Sequence, residues 1–283
     1  MSWVITGTQK FTPNALLDQF AGAAAAYSLR NLVGTSNPSV VRVRRSSDNI
    51  EADFTAAQVS DGSLAAWVGA GNNGFVRTWY DQSGNGRDAS QTTASAQPSI
   101  VTNGAVVLQT NKPTLSFSGS NFFTHGYSIT TASTIVAITN LTAKSDSVET
   151  VYGATAPNSF VRNAIIGDAY GQLSAGKWGT YMNSWKPSAY SAQGIHRLLV
   201  MISDGLTTGT VRNSAYTNGL VETFTDTGRY SGDSAERRTI MADNSTGSNA
   251  AQGNLQEIIV WPVDQSANIV SIQSNINTHY AIY

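Results

Sequence analysis

The chain has 283 residues, no cysteine, a formal net charge of −1 and only 12% charged residues. Such a length fits one large β-rich domain with a core that needs no staples. The missing cysteines exclude a disulfide framework, thiolate metal sites and a cysteine nucleophile. With no basic stripe to neutralise phosphates, the chain is not expected to bind nucleic acid. Ser, Thr, Asn, Gln and Gly supply the polarity instead, which suits extracellular exposure, virion assembly and hydroxyl-rich ligands.

Residues 1–10 show no basic stretch followed by an apolar one, so no signal peptide is expected. The small-apolar run at residues 21–26 is too short to cross a bilayer, and no membrane insertion is expected. Thr12 and Pro13 form a good helix start, and Leu16, Phe20, Ala23, Ala24 and Tyr27 recur at roughly helical spacing. They predict a helix over residues 13–32, stopped by Gly34 and the Asn37-Pro38 pair. The texture then changes to short β-rich runs separated by turn residues. Strands are predicted at residues 40–44, 75–80, 114–118, 133–139, 163–166, 197–203, 210–216, 220–224, 238–242 and 254–261. Asn218-Gly219 marks a tight hairpin, and residues 63–68 read as a helical turn. Residues 146–158 read as a surface loop. A closing helix within residues 264–283 is capped by Asp264 and keeps Ile269, Ile272, Ile276 and Tyr280 on one face. Many short strands with a helix at each end predict an all-β sandwich in a single domain, residues 1–38 forming an N-terminal arm and helix.

Several segments bear on chemistry. In residues 79–91 (WYDQSGNGRDASQ), Asp81, Ser83, Asn85 and Asp88 place oxygen atoms around Gly84 and Gly86. Such a loop could hold Ca²⁺, which takes six to eight oxygen ligands, or hydrogen-bond a sugar. It lacks EF-hand spacing and a bidentate glutamate, so a turn whose carboxylates cap their own backbone is the simpler reading. No other cofactor is expected. Arg42, Arg44 and Arg45 are expected to pair with Asp48, Asp53 or Asp81. His125, His196 and His279 lie far apart, with no local pattern for zinc or a Ser-His-Asp triad. Tyr170, Trp178, Tyr181, Trp185 and Tyr190 stand among Gly, Ser and Asn. Flat rings edged by amides suit sugar faces, although alternate rings could equally fill the sandwich.

Residues 26–30 (AYSLR), 41–49, 79–91 and 242–261 (ADNSTGSNAAQGNLQEIIVW) together resemble the arabinofuranosidase B catalytic-domain family. The Tyr-Asp-Gln-Ser-Gly-Asn-Gly string is the most specific part. The resemblance implies a concanavalin A-like jelly-roll sandwich of the laminin-G kind. The same blocks resemble phage tail and virion proteins, to which VRVRRSSDN and WYDQSGNGRDASQ are closer in wording. A retaining glycosidase needs a nucleophilic carboxylate and an acid/base carboxylate about 5 Å apart. The resemblance puts the acid/base at Asp243, in the run Ala242, Asp243, Asn244, Ser245. The nucleophilic glutamate would fall in residues 178–185 (WGTYMNSW), which contain no carboxylate. The family's vicinal cysteines are also missing. The expectation is therefore a non-catalytic virion structural protein, a tail-fibre or surface decoration subunit. It would contact other virion subunits and host-surface carbohydrate through Trp178, Tyr181, Trp185, Asp243 and Asn244. Fibre architecture favours a homo-oligomer, with a trimer as its form. The alternative is an α-L-arabinofuranosidase-like retaining hydrolase using Asp243.

Overall fold

The structure is a computed structural model describing residues 15–127, 133–142, 149–153, 164–167, 177–181, 185–191, 194–203, 210–227, 238–242, 246–247 and 249–283. Among these residues, β1 (Ala25–Ser28), β2 (Ser39–Arg45), β3 (Glu51–Thr55), β4 (Gly74–Trp79), β5 (Ala89–Ser90), β6 (Ser99–Thr102) and β7 (Ala105–Val106) come first. A separate small hairpin, β8 (Leu108–Gln109) and β9 (Lys112–Pro113), precedes β10 (Leu115–Ser118), β11 (Phe123–His125) and β12 (Ser133–Leu141). Next are β13 (Glu149–Gly153), β14 (Ala164–Gly167), β15 (Lys177–Tyr181), β16 (Trp185–Ser191) and β17 (Arg197–Ser203). The last strands are β18 (Thr210–Thr217), β19 (Leu220–Thr227), β20 (Arg238–Ile240) and β21 (Gln252–Trp261). Four helices accompany them: α1 (Leu16–Gln19), α2 (Ala56–Ser60), α3 (Ser63–Val68) and α4 (Ile269–Tyr280).

The first layer runs β3–β2–β4–β6–β10–β21–β12–β17–β18–β19, and β1 lies beside the second half of β21. The second layer runs β5–β11–β20–β13–β14–β15–β16. The two share β4, whose Gly74 and Phe75 pair with β6 while Thr78 and Trp79 pair with β5. The result is a concanavalin A-like jelly-roll sandwich.

Strand alternation explains the core. Ile135 and Ala137 of β12, Leu199 and Met201 of β17, and Ile258 and Val260 of β21 join one buried cluster with Tyr27, Trp79, Phe117, Phe123 and Tyr152. The residues between them, Val136, Ile138, Leu198, Val200, Ile259 and Trp261, turn outward and meet Ile269, Ile272 and Ile276 of α4. Both faces of these strands are thus covered, so their sequences read as continuous apolar runs rather than alternating ones. Each of the three isoleucines contributes about 1.5–3 kcal/mol by leaving water.

Three local expectations need correction. The N-terminal helix is the single turn α1, and Ala25–Ser28, which helical spacing had included, is strand β1. Its small side chains fit on both sides, Ala25 and Tyr27 towards the core and Ala26 beneath α4, so pairing with β21 overrides alanine's helix propensity. The predicted loop at residues 146–158 contains β13. Asp264 is not the cap of α4: its Oδ1 accepts from the Ser266 amide at 2.7 Å, and Asn268 holds the N-cap position.

Candidate functional site

The strand leading to the sequence-matched aspartate is held unusually tightly. β20 ends at Ile240, Met241 and Ala242 form a turn, and Asp243 comes next in sequence. Thr239 Oγ1 donates to the carbonyls of Ala242 at 2.5 Å and Gly153 at 3.3 Å. The Met241 amide donates to Val151 O at 2.9 Å, and the Ala251 amide donates to Met241 O at 3.0 Å. Met241 has φ 64°, a left-handed conformation that costs a non-glycine residue about 1–3 kcal/mol and persists only where its surroundings fix it. Phe122, Ala242 and Ala250 pack together beside this turn. A Cβ on Gly247 would stand 2.7 Å from the Phe122 ring, so that position requires glycine.

Strand register places further residues at this end of the second layer. Ile240 pairs with Tyr152, Tyr152 with Ile165, and Glu149 with Gly167. Ile166 pairs with Gly179 of β15. Moving from Ile240 towards Ala242 therefore means moving towards Glu149 on β13, Gly167 on β14 and Trp178 on β15. Glu149 begins the strand hydrogen-bonded to β20, and neighbouring strands lie about 4.8 Å apart. Glu149 is not among the candidate residues that the sequence singles out. It belongs to a stretch read as loop and carries no local motif, so only the strand pairing reveals it.

Tyr181 and Trp185 pair with each other, and Tyr181 pairs with Ala164, towards the opposite end of these strands. The backbone thus groups Trp178 with the Ala242 end and separates Tyr181 and Trp185 from it. Asp243 and Asn244 themselves lie outside the described residues, as does Tyr170.

The loop after β4 also stands at the far end, beside His125 and Tyr127. Asp81 spends its carboxylate on the chain: Oδ1 accepts from the amides of Ala26 and Ser83, both at 2.9 Å, and Oδ2 from the Arg87 amide at 3.0 Å. Asp88 Oδ1 accepts from the Asp81 amide at 2.9 Å. Asn85 Nδ2 donates to Ala23 O at 2.9 Å, and Arg87 lies over the Tyr127 ring at 4.2 Å. These bonds make the loop a brace for β1, with both Asp81 oxygens and Asp88 Oδ1, proposed among the calcium ligands, accepting from backbone amides. Burial, then the charges of neighbouring tyrosine and aspartates, pushes the Tyr27 phenol well above its ordinary value, so it remains a proton donor, to Arg87 O.

Two of the three arginines pair as expected. Arg42 grips Asp53 through Nε and Nη2, both at 2.7 Å, and Arg45 pairs with Asp48 at 2.7 Å. Arg44 instead donates to Gln97 Oε1 at 2.9 Å and Asn49 Oδ1 at 2.7 Å. Among the histidines, His196 Nε2 meets Gln256 Oε1 at 2.6 Å, and burial lowers its pKa. His125 stacks on Tyr152 at 5.5 Å. Among the described residues, no three His, Asp or Glu side chains converge as a metal site would require.

No protein-family model matches this sequence, and no curated protein does. Solved structures do match it. An arabinofuranosidase complexed with arabinofuranosyl-α-1,2-xylobiose superposes on 96% of this chain and 65% of its own, with TM-score 0.69 and 17% identity. A Glu-to-Gln mutant of a GH54 α-L-arabinofuranosidase, soaked with 4-nitrophenyl α-L-arabinofuranoside, covers the same shares with TM-score 0.71 and 16% identity. A Trypanosoma rangeli sialidase in complex with difluoro-KDN covers 72% of this chain and 31% of its own, with TM-score 0.51 and 12% identity. The chain thus spans just under two thirds of the length of the arabinofuranosidases. This match corrects the expectation that the protein is no enzyme, because nearly the whole chain takes the fold of a catalytic protein. Residues 178–185 hold no carboxylate, and at 17% identity the match assigns no catalytic residue to this chain. What the comparison shows of this chain is its fold, the jelly roll of the GH54 arabinofuranosidases.

Proposed function

We propose that the chain is a glycoside hydrolase acting on α-L-arabinofuranosyl groups, with Glu149 as nucleophile and Asp243 as acid/base. The observation that carries this reading is the superposition of 96% of the chain on arabinofuranosidases. The pairing of β13 with β20 supports the choice of carboxylates, since it brings Glu149 to the strand next to the one that leads into Asp243. A retaining mechanism needs its two carboxyl groups about 5 Å apart, which is the requirement this pair has to meet.

In this mechanism the Glu149 carboxylate attacks the anomeric carbon while the Asp243 carboxylic acid gives its proton to the departing oxygen. A glycosyl ester forms and the aglycone leaves as an alcohol. Asp243, now a carboxylate, takes a proton from water, whose oxygen displaces Glu149 and frees arabinose. The two inversions retain the anomeric configuration.

Release of nitrophenol from 4-nitrophenyl α-L-arabinofuranoside tests the proposal. Glu149→Gln is expected to lower kcat by about 10³-fold or more, and Asp243→Ala by about 10²-fold or more with partial rescue by azide. A Glu149→Gln protein that keeps wild-type turnover would remove Glu149 from the pair, and an inactive wild-type chain would remove the hydrolase reading. A second reading, that the module is displayed on a phage particle, is favoured by the wording of residues 40–49 and 79–91. Its test is proteomics of purified particles, which should contain the chain at fixed stoichiometry.

A further inference from the structure

A single register line of five polar residues and one phenylalanine crosses the first layer. Arg44 pairs with Phe75, Phe75 with Ser99, Ser99 with Ser116, Ser116 with Asn254, and Asn254 with Asn140. Directly paired residues project from the same face of a sheet. All six are half-buried, while their chain neighbours Val43, Val76, Ile100, Leu115, Leu255 and Leu141 belong to the core. The line spans six strands, or about 24 Å. At its first end it deepens into a cleft of about 510 Å³, walled by Gln97 and Asn121.

The chemistry of this line is that of a hydroxyl reader. The Arg44 guanidinium lies 4.9 Å from the centre of the Phe75 ring. Three of its five N–H groups are engaged, by Gln97 Oε1, Asn49 Oδ1 and Ala94 O, which leaves two. The hydroxyls of Ser99 and Ser116 make no hydrogen bond among the described residues. At the other end Gln109 Oε1 accepts from the amides of Asn254 at 2.9 Å and Asn140 at 3.3 Å, which fixes both side chains. Arg44 is the one charge on the line, and Glu51, opposite it on β3, is held by Arg77 at 2.7 Å. A polypeptide partner would need apolar anchors, and the line offers a single half-buried ring. An uncharged chain rich in hydroxyls fits better. The cleft also points somewhere: Phe122, next to Asn121 at its wall, packs against Ala242 beside the turn that leads to Asp243.

We propose that this line is a glycan-binding groove, separate from the reacting carboxylates, that holds the main chain of a neutral polysaccharide across the strands. The proposal rests on the reading of the protein as glycan-directed, but not on Glu149 or on turnover. Affinity electrophoresis through gels containing neutral arabinoxylan tests it, using the Glu149→Gln protein so that the matrix is not degraded. The parent should be retarded by the polysaccharide. Ser116→Leu and, separately, Phe75→Ala should each weaken binding by roughly ten-fold, while Ser116→Thr, which keeps the hydroxyl, should bind like the parent. Thermal melting identifies which variants remain folded, and Ser99→Leu replaces any that does not. A parent that migrates unretarded, or folded variants retarded as strongly as the parent, would overturn the groove. Loss or survival of aryl-glycoside hydrolysis bears on the carboxylate pair alone.

Discussion

Glu257 is wholly buried, and the residues around it show how the chain keeps a charge out of water. Arg30 meets it through Nε at 2.8 Å and Nη2 at 3.0 Å, and Ser28 Oγ and Tyr280 OH donate at 2.7 and 3.1 Å. Removing either ion alone would strand the other, at a cost of about 3–5 kcal/mol. Burial, then Glu257's charge, pushes the Tyr280 phenol well above its ordinary value, so it stays a donor. The adjacent His279 feels the same surroundings with the opposite outcome. Burial first, then the positive charge of Arg30, with Lys112 adding to it and Glu257 opposing, pushes its imidazole from 6.5 down to about 4. The unfolded imidazole binds a proton that the folded one refuses, so this group's contribution to stability is complete above pH 6.5 and lost as pH falls towards 4. His279→Asn should therefore flatten the fall in Tm between pH 6.5 and 4 relative to wild type; parallel curves would contradict the shift. The arginine–aspartate pairs were legible in the sequence because Asp48 and Asp53 lie within 11 residues of Arg42 and Arg45. The Arg30–Glu257 pair was not, because only the meeting of β1 with β21 joins them.

At the scale of elements, strands whose two faces are both covered were easily read, and those whose small residues mimic a helix were not. β17 is predicted to the residue, since its run of apolar side chains is bounded by Arg197 and Ser203. β1 reads as helix because Leu16, Phe20, Ala23, Ala24 and Tyr27 satisfy helical spacing, while Ala25–Ser28 satisfy strand alternation equally well. Pairing leaves marks a sequence reader cannot see, and Gly253 in β21 is one. It has φ 134°, and a Cβ there would stand 2.3 Å from Asn140 O and 2.8 Å from Leu141 Cα on β12. Backbone cannot yield as a side chain does. Gly253→Ala should destabilise the protein by about 2 kcal/mol or more, measured by urea unfolding, through strain at this φ and separation of the two central strands. A variant with an unchanged midpoint would show that β12 and β21 can part without cost.

The whole molecule is a sandwich whose central strands are covered by α4 on the outside and by the second layer within. The many short strands made this architecture legible, and the family resemblance in residues 79–91 and 242–261 gave its type. The site was less legible for a topological reason. Glu149 opens a strand hidden in a polar stretch, and it reaches the neighbourhood of the Ala242 turn only because β13 pairs with β20. The family resemblance places a nucleophile in residues 178–185, which carry no carboxylate, so the proposed pair draws on Glu149 from another strand. The most direct measurement of the central claim is mass spectrometry after incubation with an arabinofuranose-configured cyclic sulfate, which a nucleophilic carboxylate opens to a stable ester. One label per chain, mapped to the peptide containing Glu149 and abolished by Glu149→Gln, is the predicted result. A label on a different carboxylate, or none on a folded protein, would contradict it.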